Sequence, residues 1–303
     1  MKRKGLVKKA VLPALVALVC SVIALTSVSY AWFTMGNQAS VNEMELQVTT
    51  SDGLQISSSG SVGTYKSQIT IEELKEINSN KFPEEVSPVS SAGVVASGIQ
   101  QMYYGSVNAD GTLTSSADSA SGHYICFDLF IQTSKDYTLK LDVNSYVKSA
   151  TNTETALAAR VSFVDLGCGE TAALAKAMTG TGWTASGSEL ATIWEPNHLD
   201  RAQAVKDNNI AADEEAVDCY GLISEFTGAS VGTKSATSEK SQKQVVVVSN
   251  YTDAGTSTAI NLLSLEEGYN RIRIYVWLEG QDVDCVNEIS AGKLQVKLNF
   301  IVS

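Results

Sequence analysis

The sequence predicts an all-β protein, an antiparallel β-sandwich with jelly-roll-like connections and short helical insertions, preceded by a hydrophobic N-terminal helix. Three observations lead there. Beyond residue 40 apolar and polar residues alternate with period two, the mark of half-buried strands. Helix signals are confined to two short segments. No repeat or proline-rich linker divides the chain, so residues 32–303 read as one domain. Apolar residues make up 44% of the chain, enough to fill a core.

The strands follow in order. Within residues 39–50, "ASVNEMELQVTT", Met44, Leu46 and Val48 alternate with Glu43, Glu45 and Gln47. "GLQIS" continues the pattern with Leu54 and Ile56. "YICFDLFIQ" sets Ile125, Phe127, Leu129 and Ile131 on one face, with Asp128 and Gln132 on the other. "YTLKLDV" follows after the short turn "TSKD", which predicts a hairpin. "ARVSFV", "KQVVVVS" and "NRIRIYVWLEG" are further strands. The last, "KLQVKLNFIV", aligns Leu294, Val296, Leu298, Phe300 and Val302. "TIEELKEI" opens with Thr70 and has Glu73 three residues on, a capping box for a helix of about two turns. Residues 170–178, "ETAALAKAM", are strong helix formers and predict a second helix. Polar loops are expected around 80–98, 105–121 and 198–217, with a tight turn at "NADG", residues 108–111.

The N-terminus has its own logic. Lys2, Arg3, Lys4, Lys8 and Lys9 precede an apolar run, Ala10 to Val28, long enough to cross a bilayer as a helix. The order of basic, apolar and small residues is that of a secretory signal, so everything after Trp32 is expected outside the cytoplasm. Ser29 and Ala31 form the small-x-small pair a signal peptidase requires, placing the cut before Trp32. The same segment, "SYAWF", also fits the aromatic belt of a retained anchor, and both readings of residues 1–31 stand. A lipoprotein signal does not fit, because Val19 precedes Cys20 where a small residue is needed. Pilin-type processing after Gly5 does not fit either, because Lys8 and Lys9 would interrupt the helix.

Charge narrows the partners. Those five leading cations belong to 22 basic residues, so 17 remain against 33 acids, a net of −16. Such a surface repels phosphate backbones, which argues against nucleic acid. Membrane contact is expected only through the N-terminal helix. Cys126, Cys168, Cys219 and Cys285 lie outside the apolar run. In an exported chain four cysteines permit two disulfides in three connectivities, with free or buried thiols as the alternative. They contain no C-x-x-C pair, which argues against zinc.

Residues that could carry chemistry are few. His123 and His198 are the only imidazoles, and neither falls in a metalloprotease spacing. The glycine-rich phosphate loops are absent. No catalytic residue and no cofactor is assigned. In "VWLEGQDVDCVNEIS", Glu279, Asp282 and Asp284 are candidate Ca²⁺ ligands, with Glu288 nearby. The competing reading is a turn whose carboxylates cap backbone N–H groups. Trp277 shares a face with Arg273 and Tyr275 and is expected to cover a sheet. The acidic run at 212–218, "ADEEAVD", reads as a solvated loop.

The stretch "SYAWFTMGNQASVNEMELQV" resembles the start of secreted biofilm-matrix proteins of the TasA and camelysin type, which join a long signal to an early alternating strand. "WEPN" and "VWLEGQDVDC" resemble surface proteins of Gram-positive anaerobes. The resemblance implies a jelly-roll subunit of extracellular fibres, whose N-terminal strand completes the sheet of the next copy. It also raises a metalloprotease role, from which this sequence departs because ligand histidines are missing. The physical logic is independent of the family: an alternating strand just past a cut can be donated, adding main-chain hydrogen bonds and filling an apolar groove with Met44, Leu46 and Val48. Head-to-tail donation does not close and yields a filament. The alternatives are a strand kept in its own domain and an anchored adhesin or ligand-binding ectodomain. With no L-P-x-T-G signal, attachment to a cell is expected through the uncut helix or through other subunits.

Overall fold

Alternation of apolar and polar residues turns most of the described chain into strands. The structure is a computed structural model that describes residues 38–48, 53–91, 93–107, 113–117, 122–150, 154–178, 189–196, 251–253, 259–280, 285 and 291–303. In chain order the first strands are β1 (Ala39–Val48), β2 (Gln55–Ser57), β3 (Gln68–Thr70), β4 (Val94–Ala96), β5 (Ile99–Gln100) and β6 (Tyr103–Val107). Then come β7 (Leu113–Ala117), β8 (Ile125–Thr133), β9 (Tyr137–Leu141), β10 (Tyr146–Ser149), β11 (Ala159–Gly169) and β12 (Glu189–Leu190). The last are β13 (Thr192–Glu195), β14 (Tyr251–Asp253), β15 (Ile260–Leu265), β16 (Gly268–Leu278) and β17 (Gly292–Val302). Three short helices are α1 (Ile71–Lys75), α2 (Glu154–Leu157) and α3 (Ala172–Ala177).

Two six-stranded sheets share one core. The first has the order β15-β9-β17-β1-β3, with β10 also paired to β17. The second runs β14-β13-β11-β16-β8-β2. Leu46, Leu298, Phe300 and Leu139 from the first sheet join Phe127, Leu129, Ile272, Ile274 and Phe163 from the second in a single buried cluster. Phe163 meets Phe300 edge-on, centroids 6.1 Å apart, which ties the sheets at their middle. Most pairings are antiparallel, as expected. Two are parallel, β1 with β17 and β13 with β14.

The second sheet is covered on its other face as well. There Tyr275, Trp277, Val164 and Ile193 pack against Val89, Val95, Met102 and Tyr124 in a separate cluster. The covering pieces are the small sheet β12-β4-β5 and the chain leading into it. The region around 80–98 therefore contains β4 rather than loop alone. The region around 105–121 contains most of the β6–β7 hairpin, with Val107 opposite Leu113 across residues 108–112.

The hairpin predicted between "YICFDLFIQ" and "YTLKLDV" does not form. β8 pairs with β16 and β2 in the second sheet, whereas β9 pairs with β15 and β17 in the first. The "TSKD" turn is a corner between sheets. β15 and β16 make the matching crossing beside it: Leu265 stands opposite Tyr137 and Gly268 opposite Thr133. Thr133 Oγ1 donates to the Glu266 carbonyl at 2.8 Å, and the Glu267 N–H donates to Asp136 Oδ1 at 2.9 Å. Period two tells which face of a strand is apolar. It cannot tell whether the next strand stays in the same sheet.

Both predicted helices form. The Thr70 N–H donates to Glu73 Oε2 at 3.0 Å, the reciprocal half of a capping box at the start of α1. Thr171 caps α3, its Oγ1 accepting from the Leu174 N–H at 3.3 Å. Residues 1–31, "KQVVVVS", His198 and the run at 212–218 lie outside the described residues. Among those described, no helix is long and apolar enough to cross a membrane.

Candidate functional site: the first strand and its slot

β1 is an inner strand, bonded to a neighbour on each side. It runs parallel to β17 from Ala39 opposite Gly292 to Val48 opposite Phe300, with one register shift between Val41 and Glu43. On its other edge Leu46 stands opposite Ile69 of β3. Its ends are tied as well. The Ala39 N–H donates to the Val86 carbonyl at 2.9 Å, and the Val48 N–H donates to that of Ser67 at 2.9 Å. The sequence expectation for Met44, Leu46 and Val48 holds in one respect: all three are buried between the sheets. At roughly 1.5–3 kcal/mol for each such side chain, burial strongly favours an occupied slot. In this single chain the occupant is the chain's own strand.

The opposite face of β1 carries a polar ladder. Gln295 Nε2 donates to Glu43 Oε2 at 2.8 Å, and Gln68 Nε2 donates to Glu45 Oε1 at 2.9 Å. Lys297 Nζ lies 3.5 Å from Glu45 Oε2. Both neighbours of β1 thus contact its acids as well as its backbone. Further along the seam, the Asp142 N–H and Ser145 Oγ bind the Asn299 carbonyl, and the Asn299 N–H donates to Ser145 Oγ. This absorbs the extra residues between β9 and β10, so both can pair along the same edge of β17.

The covered face of the second sheet holds two polar groups that the sequence reading did not assemble. Asp128, almost fully buried, is clamped by two arginines. Arg273 Nε lies 2.7 Å from Asp128 Oδ1, and Arg271 Nε donates to Oδ2 at 3.1 Å. The arginines reach beyond the carboxylate: Arg271 Nη1 donates to the Lys176 carbonyl at the end of α3, and Arg273 Nη1 to the Gly98 carbonyl between β4 and β5. Burial alone would raise the Asp128 carboxyl, but hydrogen bonding and charge from Arg273 and Arg271 outweigh it and hold the group below its ordinary range. The signal was present in sequence, since an acid in "CFDLF" and two arginines in "NRIRIYV" each sit among apolar residues.

The second group centres on Gln100, which is buried. It receives Ser162 Oγ, donates through Nε2 to Ser91 Oγ at 2.9 Å, and its backbone N–H donates to Tyr275 Oη at 3.0 Å. Glu279, one of the candidate Ca²⁺ ligands, belongs to this region and is fully buried. Trp277 Nε1 donates to its Oε2 at 3.2 Å, and the Ser91 N–H approaches the same oxygen at 3.4 Å. This carboxylate anchors the covering chain at Ser91. Asp282 and Asp284 lie outside the described residues, within which no group of three side chains suited to a metal occurs. Trp277 covers a sheet, as expected.

The remaining sequence candidates are scattered. His123 stacks on Tyr104, centroids 4.9 Å apart. Cys126 and Cys168 are free thiols on the second sheet, whereas Cys285 is buried in the main core, and no bridge joins these three. Burial pushes the Cys126 thiol up to about 12. Cys219, like the proposed cleavage residues Ser29, Ala31 and Trp32, lies outside the described residues. Comparison with protein-family models, with curated proteins and with solved structures found no match.

Proposed function

We propose that the chain is an exported, non-enzymatic structural protein of the cell surface or extracellular matrix, a fibre subunit that assembles by donating its first strand. The observation that carries this reading is the slot between β17 and β3. It takes one alternating strand whose three apolar side chains complete the core, and that strand is the first one described. A strand near a chain end can leave its slot without unthreading the rest of the sheet. The same slot in a second copy would then accept it, and repetition would build an open filament. The jelly-roll description belongs to this proposal. β8–β9 and β15–β16 form a two-stranded ribbon folded over both sheets at the paired corners, the way such sandwiches wind. The signal-type N-terminus supports export.

A second reading is favoured by the tight fit of β1 in its own sheet: a self-contained ectodomain held at the surface by an uncut helix, as an adhesin or ligand-binding module. Intact mass and N-terminal sequence of the surface protein test export and separate the two. A mature end at Trp32 supports a freed strand, and an intact Met1 or Lys2 supports the anchor. Sedimentation then tests the fibre itself. Mature protein that remains monomeric at high concentration across pH and salt, with β1 protected from proteolysis, would overturn the fibre reading.

A further inference from the structure

We infer that Glu43 and Glu45 select the register, and so the identity, of the strand filling the slot beside β17, its occupant in a fibre being β1 of a second copy. The inference rests on the fibre reading above and concerns what makes the slot selective. The core side of β1 is a poor selector. A slip of one residue would turn Met44, Leu46 and Val48 to solvent and is forbidden by their burial. A slip of two residues keeps all three inside. Their volumes are similar and methionine adapts to irregular gaps, so apolar packing discriminates weakly between these registers.

The exposed ladder does discriminate. In the observed register Glu43 faces Gln295 and Glu45 faces Lys297, with Gln68 of β3 also donating to Glu45. Sliding β1 by two residues in one direction puts Gln47 opposite Lys297 and abolishes the ion pair. Sliding it the other way puts Glu43 opposite Lys297 and Glu45 opposite Asn299 and Gln68, so Gln295 loses its carboxylate. Only one register satisfies β17 and β3 together. The partner so defined is a parallel strand with inward apolar residues and outward carboxylates, and β1 of an identical chain meets it.

Charge reversal in full mature chains tests this. Glu45→Lys sets like charges across the seam, and so does Lys297→Glu. A directly opposed like pair costs on the order of 1 kcal/mol, or about fivefold in equilibrium. The same pair forms within a closed chain and across a fibre junction, so each single variant, and the double variant, should assemble near the wild-type critical concentration. In an equimolar mixture the reversed strand of one chain meets the reversed slot of the other, and the unreversed strand meets an unreversed slot. Exchange alone relieves the like charges there, so the mixture should assemble at a critical concentration about fivefold below that of either single variant. Sedimentation of fibres against concentration reads the result. A mixture that assembles no better than its components overturns the inference and leaves the fibre reading standing. Wild-type protein that never polymerises overturns both.

Discussion

Asp128 ties together the covered face of the second sheet, because one carboxylate satisfies two arginines that in turn hold α3 and the β4–β5 turn. Asp128→Asn removes the charge and leaves both guanidinium groups partly buried without it. The expected cost is roughly 3 kcal/mol in chemical denaturation at neutral pH. Its pH dependence has a definite sign. The carboxyl titrates lower in the folded state than the value of about 3.9 it takes unfolded. Its stabilisation is therefore complete above about pH 4 and lost as pH falls through the folded value, so the gap between wild type and Asp128→Asn should close in acid. Leu46 gives a second test at this scale. It is fully buried between the sheets, so Leu46→Ala should cost roughly 2–5 kcal/mol by the same assay. Cys126 gives a third. With its thiol pushed up to about 12 by burial, it should resist thiol reagents at pH 8 in the folded protein and react on denaturation.

At the scale of elements, β16 is the organising strand. It is bonded along most of its length to β11 and β8 and has apolar or clamped polar groups against both faces. Its amides should be among the slowest to exchange with deuterium, reaching the global unfolding limit. Those of the two-stranded β6–β7 hairpin should exchange much faster, because each of its strands has only one partner in the sheet. Amide exchange followed by mass spectrometry checks the contrast. Gly292 shows how tightly a strand start can be fixed. A Cβ there would lie 2.1 Å from Thr155 Oγ1, with Thr155 itself buried, so α2 and β17 approach at a position where no larger residue fits.

For the whole molecule, the dominant fact is that the core is closed by pairing the first described strand with the last. β17 pairs with β1 on one side and with β9 and β10 on the other, so its absence would open the first sheet in the middle. A chain ending at residue 290 should therefore fail to reach the native state, seen as loss of cooperative unfolding by circular dichroism. Folding of the intact chain should be slow for its size, because its central pairings join distant residues and loop closure must precede their reward. Removing β1 instead leaves a groove lined by Leu298, Val296 and Ile69, the surface on which the fibre and ectodomain readings diverge.

What the sequence by itself determined was local. Period two placed β1, β8, β11, β16 and β17 and named their apolar faces, because a strand's side chains alternate whatever its neighbours are. The two helices were equally readable, the first from the capping box of Thr70 and Glu73 and the second from the strong helix formers of residues 170–178, signals that act within a turn or two. Of the candidate site, the inward face of β1 could be read directly, and the outward acids were visible without their partners. Only the tertiary structure decided which sheet each strand joined, turning an expected hairpin into a corner and setting β1 parallel to β17. The same holds for the Asp128 clamp, whose arginines stand far away along the chain, and for the contact of Glu279 with Ser91. Alternation specifies the face of a strand, but its neighbours are set by the joint burial of all the faces at once, and that is a property of the packed molecule.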